Sequence, residues 1–356
     1  MAATSFPLNH PQAVKKWSGE LFKQSLTQTY AFKFMGTSDN SLCQVKNSLK
    51  DAGDRVRCGL RVQLEGAGIQ GDGTLEGNEE ALDIYHDDIF IDQLRHAVRS
   101  SGKMSEQRVP FSVRDEARDG LADWWANRYD TSFFNQLCGN TNQSDTKYTG
   151  NNSCIAPSTV ILEATSTASL ATTDVMSPDV INKALEQAKV RSVTNLSDPY
   201  PIRPLRMNGK AYFCMFMHEY QATDLRLGYS AGEWGDIQKA AAQGGQVSNN
   251  PIFNDALGVV AGVVLHPSSR IVNDTTTTAA YRAVLCGAQA GAIAYGKANS
   301  TGNKFSWVEE LFDYENQLGV AGGAIWGMKK TEFIPAGTAV DHGVITAVTY
   351  AAAHTS

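Results

Sequence analysis

The stretch FSVRDEARDGLADWWANRYDTSFFNQLCGN, residues 111–140, constrains the fold of this chain more than any other. Val113, Ala117, Leu121, Trp124 and Trp125, Phe133 and Phe134, and Leu137 recur every three to four residues, the period of one buried helical face. Ser112 and Asp115 approximate a capping box, Asp115 and Glu116 stand where the helix dipole favours acids, and Gly139 is a stop signal. The spacing predicts one helix of roughly 26 residues and nearly 40 Å. That is well beyond the usual globular length. Its paired aromatics read as core residues.

A second strong pattern precedes it. In RVRCGLRVQLE (55–65), Val56, Cys58, Leu60, Val62 and Leu64 face one way. Arg55, Arg57, Arg61, Gln63 and Glu65 face the other, the period-2 signature of a half-buried strand. A second extended run follows, with Leu82 and Ile84 on one parity and Ile89 and Ile91 on the other, which predicts a bulge or kink at His86-Asp87-Asp88. Together the runs predict a long hairpin with its tip at 66–80 and arms of about eleven residues, roughly 35 Å. Such a ribbon is marginal alone in water. Its apolar face needs a cover, and the acidic, glycine-rich tip is ill suited to the chain's own core. The expected cover is another copy of the chain.

The remaining pattern is mixed. Residues 1–53 are polar with scattered aromatics and a helix expected around 11–27. DQLRHAVRSSG, from Asp92 to Gly102, reads as helical. Residues 140–175 are rich in Asn, Ser and Thr and read as a loop, and 177–192 as a capped amphipathic helix. KAYFCMFMHEY (210–220) reads as a buried strand and SAGEWGDIQKAAAQGG (230–245) as a short helix. GVVAGVVLH (258–266) and YRAVLCGAQAGAIAYG (281–296) are strand-like, and 324–334 and 343–352 alternate again. There is no internal repeat, and the class is α+β.

Catalytic and cofactor chemistry finds little support. Gly66, Gly68 and Gly71 form a literal G-x-G-x-x-G, yet that motif needs a helix opening at its third glycine to hold a pyrophosphate. Gly73 and Gly77 follow instead. From Val62 to Leu94 there is no Lys or Arg, while Glu65, Asp72, Glu76, Glu79, Glu80, Asp83, Asp87, Asp88 and Asp92 would repel a phosphate. Asp72, Thr74, Glu76, Gly77, Glu80 and Asp83 match the spacing of a calcium loop, but their flanks are extended where an EF-hand has helices. His86 and His96 are strung along the chain rather than converging, and His218-Glu219 lacks the second histidine of a zinc helix. The six cysteines (43, 58, 138, 154, 214 and 286) form no C-x-x-C pair. No cofactor is expected and no enzyme activity.

A formal net charge of −6 argues against a dedicated nucleic-acid reader. The first residues lack the apolar core of a signal peptide, and the longest apolar run, 256–265, is half a membrane span. An intracellular protein without a membrane partner is expected. Basic residues cluster around the long helix, at Arg95, Arg99, Lys103, Arg108, Arg114 and Arg118. An acidic tip on a neighbour's basic region would steer assembly, and a repeated heterologous contact closes a ring. The candidate subunit interface is Arg57, Arg61, Gln63 and Glu65 on the arms, Asp72, Glu76, Glu79 and Glu80 at the tip, and Arg95, Arg99, Arg108, Arg114 and Arg118 as receptor.

YHDDIFIDQLRHAVRSSGKMSEQRVPFSVRDEARDGLADWWANRYDTSFFNQLCG (85–139) resembles the hallmark block of major capsid proteins of tailed phages like coliphage N-four. In that family an acidic IDQLR stretch leads into R-x-E-A-R-x-x-L-x-x-W-W on a long helix. PIRPLRMNGKAYFCMFMHEYQATDLR (201–226) and LFDYENQLGVAGGAIWGMKKTEF (311–333) are similar to its later signatures, so the resemblance spans most of residues 10–350. It implies the Hong Kong phage capsid fold. The implied parts are an N-terminal arm (1–53), an extended hairpin loop (54–94), a peripheral domain (95–175) with a spine helix (112–138) and a polar loop, an axial domain (176–300), and returning peripheral strands (301–356). It further implies a major capsid protein that self-assembles into hexamers and pentamers of an icosahedral shell around double-stranded DNA. The implied partners are itself, a portal, scaffold or decoration proteins, and packaged DNA held without sequence specificity. The implied location is the virion capsid, assembled in the host cytoplasm. No Lys–Asn pair here matches the covalent crosslink of one branch of the fold. The rival expectations are a cargo-enclosing compartment of the same fold and, remotely, a dinucleotide-dependent enzyme.

Overall fold

The computed structural model describes residues 29–46, 53–61, 66–82, 84–108, 112–190, 201–207, 209–229, 252, 256–274, 279–297, 304–334 and 339–354. A 3-10 turn (Tyr30–Phe34) leads into strands β1 (Met35–Gly36) and β2 (Cys43–Lys46), then β3 (Arg55–Arg61), β4 (Ile84–Phe90) and β5 (Asp92–Arg99). Helices α1 (Lys103–Gln107) and α2 (Val113–Leu137) follow, then β6 (Val160–Leu162) and α3 (Pro178–Val190). Next come β7 (Leu205–Met207), β8 (Lys210–Met217), α4 (Glu219–Gly228), β9 (Gly258–Val260) and β10 (Val263–Pro267). The chain ends in β11 (Ala280–Cys286), β12 (Gly291–Tyr295), β13 (Phe305–Phe312), β14 (Gln317–Lys330), β15 (Glu332–Phe333), β16 (Val340–Asp341) and β17 (Val344–Tyr350).

The long helix forms where its period predicts, with Ser112 Oγ accepting from the Asp115 amide at 3.4 Å. Its buried stripe includes Leu121, Trp125, Tyr129, Phe133, Phe134 and Leu137. The first sheet runs β1-β2-β12-β14-β13, with β5 also on β14. Trp326 pairs with Tyr295 and with Asp92, so β12 and β13 share one edge of β14 end to end while β5 takes the other. Trp125 meets Phe305 edge-on at 4.9 Å, Tyr129 lies 4.6 Å from Trp326, and His96 stacks on Trp124 at 4.5 Å. The second sheet runs β6-β17-β11-β8-β10-β9, with β7 beside β8. On β8, alternation sends Cys214 and Phe216 into the α2 core and Phe213, Met215 and Met217 into a separate core under α3. Phe216 meets Phe134 of α2 at 5.7 Å, so one helix serves both sheets. The segment around the 3-10 turn is pinned to that helix as well. The backbone amides of Tyr30 and Ala31 donate to the Asp130 carboxylate at 3.1 and 2.9 Å.

Several expectations change. DQLRHAVR is not helical but forms β5, paired residue for residue with β14 from Asp92↔Trp326 to Arg99↔Gly319. Leu94, His96 and Val98 also alternate, and an edge of backbone donors and acceptors on β14 decides between the two periods. The hairpin has no bulge at 86–88. Its ladder is continuous from Arg55↔Phe90 to Arg61↔Ile84, and its arms pair over seven residues, roughly 24 Å. The parity conflict resolves otherwise. Asp87 takes the buried face, paired with Lys329, and Ile84 is left 63% exposed. The base of the hairpin also finds a cover within its own chain, since Val56 and Ile89 pack on Ala292 and Ala294 of β12. GVVAGVVLH is two strands, and YRAVLCGAQAGAIAYG divides between the two sheets. The helices expected at 11–27 and 230–245 lie outside the described residues.

Candidate assembly surface

The hairpin carries its charge outward. On that face Arg57 Nε and Nη2 donate to the two Asp88 carboxylate oxygens at 2.7 and 2.9 Å. These bonds hold the Asp88 carboxyl below its ordinary pKa and push the Arg57 guanidinium up. The Arg55 guanidinium lies over the Phe90 ring at 4.4 Å. Arg61 pairs through its backbone with Ile84, while Gln63 and Glu65 lie outside the described residues.

Beyond the ladder, every residue from Gly66 to Leu82 is exposed. The tip is organised by its own acids. Glu80 Oε2 accepts from the Gly66 amide at 2.7 Å and Glu79 Oε2 from the Gly77 amide at 2.8 Å. Gly71 and Gly77 have φ of 69° and 88°, a region closed to most side chains, so the chain can reverse there. Residues 72–82 continue as turns and extended chain, so no helix N-terminus stands behind the glycines. Asp72 and Glu76 are exposed, and Asp83 lies outside the described residues. Among the described residues no three His, Cys, Asp or Glu side chains group as metal ligands. None of the described helices is long and apolar enough to cross a membrane.

The predicted basic cluster is divided by the first sheet. β14 pairing puts Leu94, His96 and Val98 on the α2 side with Phe305, Trp307 and Glu309. Arg95 and Arg99 therefore lie on the opposite face, across the small residues of β14, with Arg99 over the Phe312 ring at 4.3 Å. Arg114 is on the helix side and is held by Glu309 through bonds of 2.7–3.0 Å. Glu309 is buried and also accepts from Trp307 Nε1 at 2.8 Å, so this cation secures α2 to β13. Arg118 bonds its neighbour Asp119 at 2.9 Å, and Arg108 is exposed just after α1.

The thiols offer no activated nucleophile among the described residues. Burial pushes Cys43 and Cys154 up to about 12 and Cys138 up to about 11, far from the depressed values a reactive cysteine needs. What the surface can do is dock. Sequence patterning missed two parts of it, the exposed Ile84 on the hairpin and the division of the arginines, the second because it depends on β5 pairing with β14 more than two hundred residues later.

Residues 5–353 match the family model described as phage capsid protein. The major capsid protein of Pseudomonas phage KPP25 is 28% identical over 372 aligned positions, covering 92% of this chain and 93% of that protein. The capsid of Ralstonia phage GP4 matches at a TM-score of 0.82 and 35% identity over 100% of both chains. The capsid asymmetric unit of cyanophage Pam1 matches at a TM-score of 0.70 and 20% identity, over 92% of this chain and 93% of that one.

Proposed function

Because this chain belongs to the phage capsid protein family, we propose that it acts as the shell subunit, closing into the hexamers and pentamers of an icosahedral capsid around double-stranded viral DNA. The observation that carries the mechanism is the fully exposed tip, residues 66–82, on a ladder whose base is anchored in its own chain. A rigid root with an unsupported acidic end is built to reach a neighbour. Arg95 and Arg99 are the receptor on that neighbour, and Arg114 secures the helix behind them. The fold divides accordingly into an arm (1–53), an extended loop (54–94), a peripheral domain (95–175) with its spine helix, an axial domain (176–300) and returning strands (301–356). The IDQLR and R-x-E-A-R-x-x-L-x-x-W-W blocks support kinship with capsid proteins like that of coliphage N-four. Assembly takes place in the host cytoplasm with a portal and scaffold or decoration proteins. Packaged DNA is held without sequence preference, since the chain's charge of −6 favours confinement over tight binding.

Electron microscopy and sedimentation of the expressed protein test this, with shells or capsomer rings the expected result and monomers or dimers alone the refutation. Nucleic-acid staining of particles from infected cells separates a genome shell from a cargo compartment. Reversing Glu76, Glu79 and Glu80 together to Lys should cut shell yield at least about tenfold while leaving the subunit's circular dichroism unchanged, since like charges would then face each other across the contact. Undiminished assembly would remove the tip from the mechanism.

A further inference from the structure

The hairpin of β13 and β14 closes its ladder at Phe312↔Gln317 and turns through Asp313, Tyr314, Glu315 and Asn316. Asp313, Tyr314 and Glu315 have φ of 51°, 49° and 68°. Three successive side-chain-bearing residues in the left-handed region are strained, and a turn under no other demand takes glycine or asparagine there. The turn is nevertheless fixed. The Asn316 amide donates to the Asp313 carbonyl at 3.0 Å, and Asn316 Nδ2 to Asp313 Oδ2 at 3.2 Å. From the facing segment the Lys103 amide donates to Asn316 Oδ1 at 3.3 Å, and the Ser100 amide to the Leu318 carbonyl at 2.8 Å. Gln317 Nε2 reaches the Ser101 carbonyl at 3.4 Å. Strain held this firmly presents something, and what it presents is Tyr314, 103% exposed at the apex.

A rigid, wholly exposed tyrosine is the residue type that anchors protein interfaces. Its surroundings identify the partner. Asp313 and Glu315 flank it, both exposed. The same hydrogen bonds place the turn beside α1, where Lys103, Arg108 and Met104 are exposed, Met104 at 67%. An acidic turn with an aromatic apex therefore stands next to a basic helix with a soft apolar side chain on one rim of the molecule. Two such patches are complementary when copies follow head to tail about an axis. We infer that the turn Asp313–Asn316 is a docking point for a second copy of this chain, with Tyr314 seated against Met104 of the neighbour and Asp313 and Glu315 facing the neighbour's Lys103 and Arg108. Thioether and ring pack well in such a seat. This contact rests on the shell reading above and is separate from the long hairpin's reach.

The test uses the full chain under conditions where it forms shells. Tyr314→Ala should raise the protein concentration needed for assembly at least about tenfold, while Tyr314→Phe assembles nearly as the parent does. The subunit's melting temperature should not fall in Tyr314→Ala, because the ring supports nothing within its own chain; a fall would mark a structural role and overturn the inference. The pair Asp313→Lys and Glu315→Lys should block assembly, and adding Lys103→Glu and Arg108→Glu should restore it. A chain carrying Tyr314→Cys and Met104→Cys should give a ladder of disulfide-linked multimers from oxidised shells. Wild-type assembly by Tyr314→Ala, or no rescue by the swapped charges, overturns the contact and leaves the shell reading standing. If the parent chain itself forms no shells or rings, the shell reading falls and this contact with it.

Discussion

Lys330 is an ammonium with almost no access to water, and its surroundings show how the chain tolerates that. Its Nζ lies 2.7 Å from Asp341 Oδ1, the two side chains 0% and 2% exposed, and donates to the carbonyls of Ile155 and Ala156 at 3.2 and 3.4 Å. The other Asp341 oxygen accepts from the Ser158 amide at 2.9 Å. Each charge is met by polar atoms, so removing one partner strands the other. Lys330→Met should cost about 3–5 kcal/mol in urea unfolding of the subunit, and pairing it with Asp341→Leu should recover much of the loss. Nothing in GMKKTEF announces this. A lysine doublet reads as a solvated strand end, yet successive residues of a strand point to opposite faces. Lys329 therefore meets Asp87 of the hairpin, and Lys330 meets Asp341 of β16. Asp87 lies far away in sequence, and Asp341 is brought back to Lys330 only by the pairing of β15 with β16, which is why neither pair could be read from the doublet itself.

At the scale of elements, α2 was legible because its period, cap and stop all agree within one stretch of chain. β5 was not, because DQLRHAVR satisfies two periods and its partner strand lies more than two hundred residues later. Gly327 marks how tightly such pairings close. A methyl group there would overlap the Phe90 carbonyl oxygen at the end of β4. Gly327→Ala should therefore push β4 from β14 and destabilise the subunit by about 3 kcal/mol or more in thermal unfolding, the upper end of overpacking penalties. The hairpin's outer face has its own signature. Asp88 is held below its ordinary pKa chiefly by hydrogen bonds from Arg57. Its contribution is in place above the unfolded carboxylate value of about 3.9 and is lost as pH falls through the lower folded value. Hydrogen exchange of the β3 and β4 amides should show protection falling in that acid range, and Asp88→Asn should remove this pH dependence.

For the whole molecule, local pattern identified the class, the long helix, the hairpin and the family blocks, whereas the sharing of one helix by two sheets emerges only from pairing. β14 is the hub of the first sheet, contacting β5, β12 and β13 along its length. A chain cut before Gln317 should keep none of that sheet's core, and limited proteolysis with near-ultraviolet circular dichroism should show α2 unprotected and Trp125 without a fixed environment. The same connectivity sets a clock. Cys43 on β2 pairs with Gly291 on β12, and Arg99 on β5 with Gly319 on β14. At about 5–20 residues per second, a ribosome needs roughly 12–50 s to travel the roughly 250 residues between β2 and its partner. Throughout that interval the first sheet lacks its hub and the turn carrying Tyr314 has not been made. A subunit folded in this order becomes competent to join its neighbours late in its own synthesis, which keeps half-made chains out of the growing lattice.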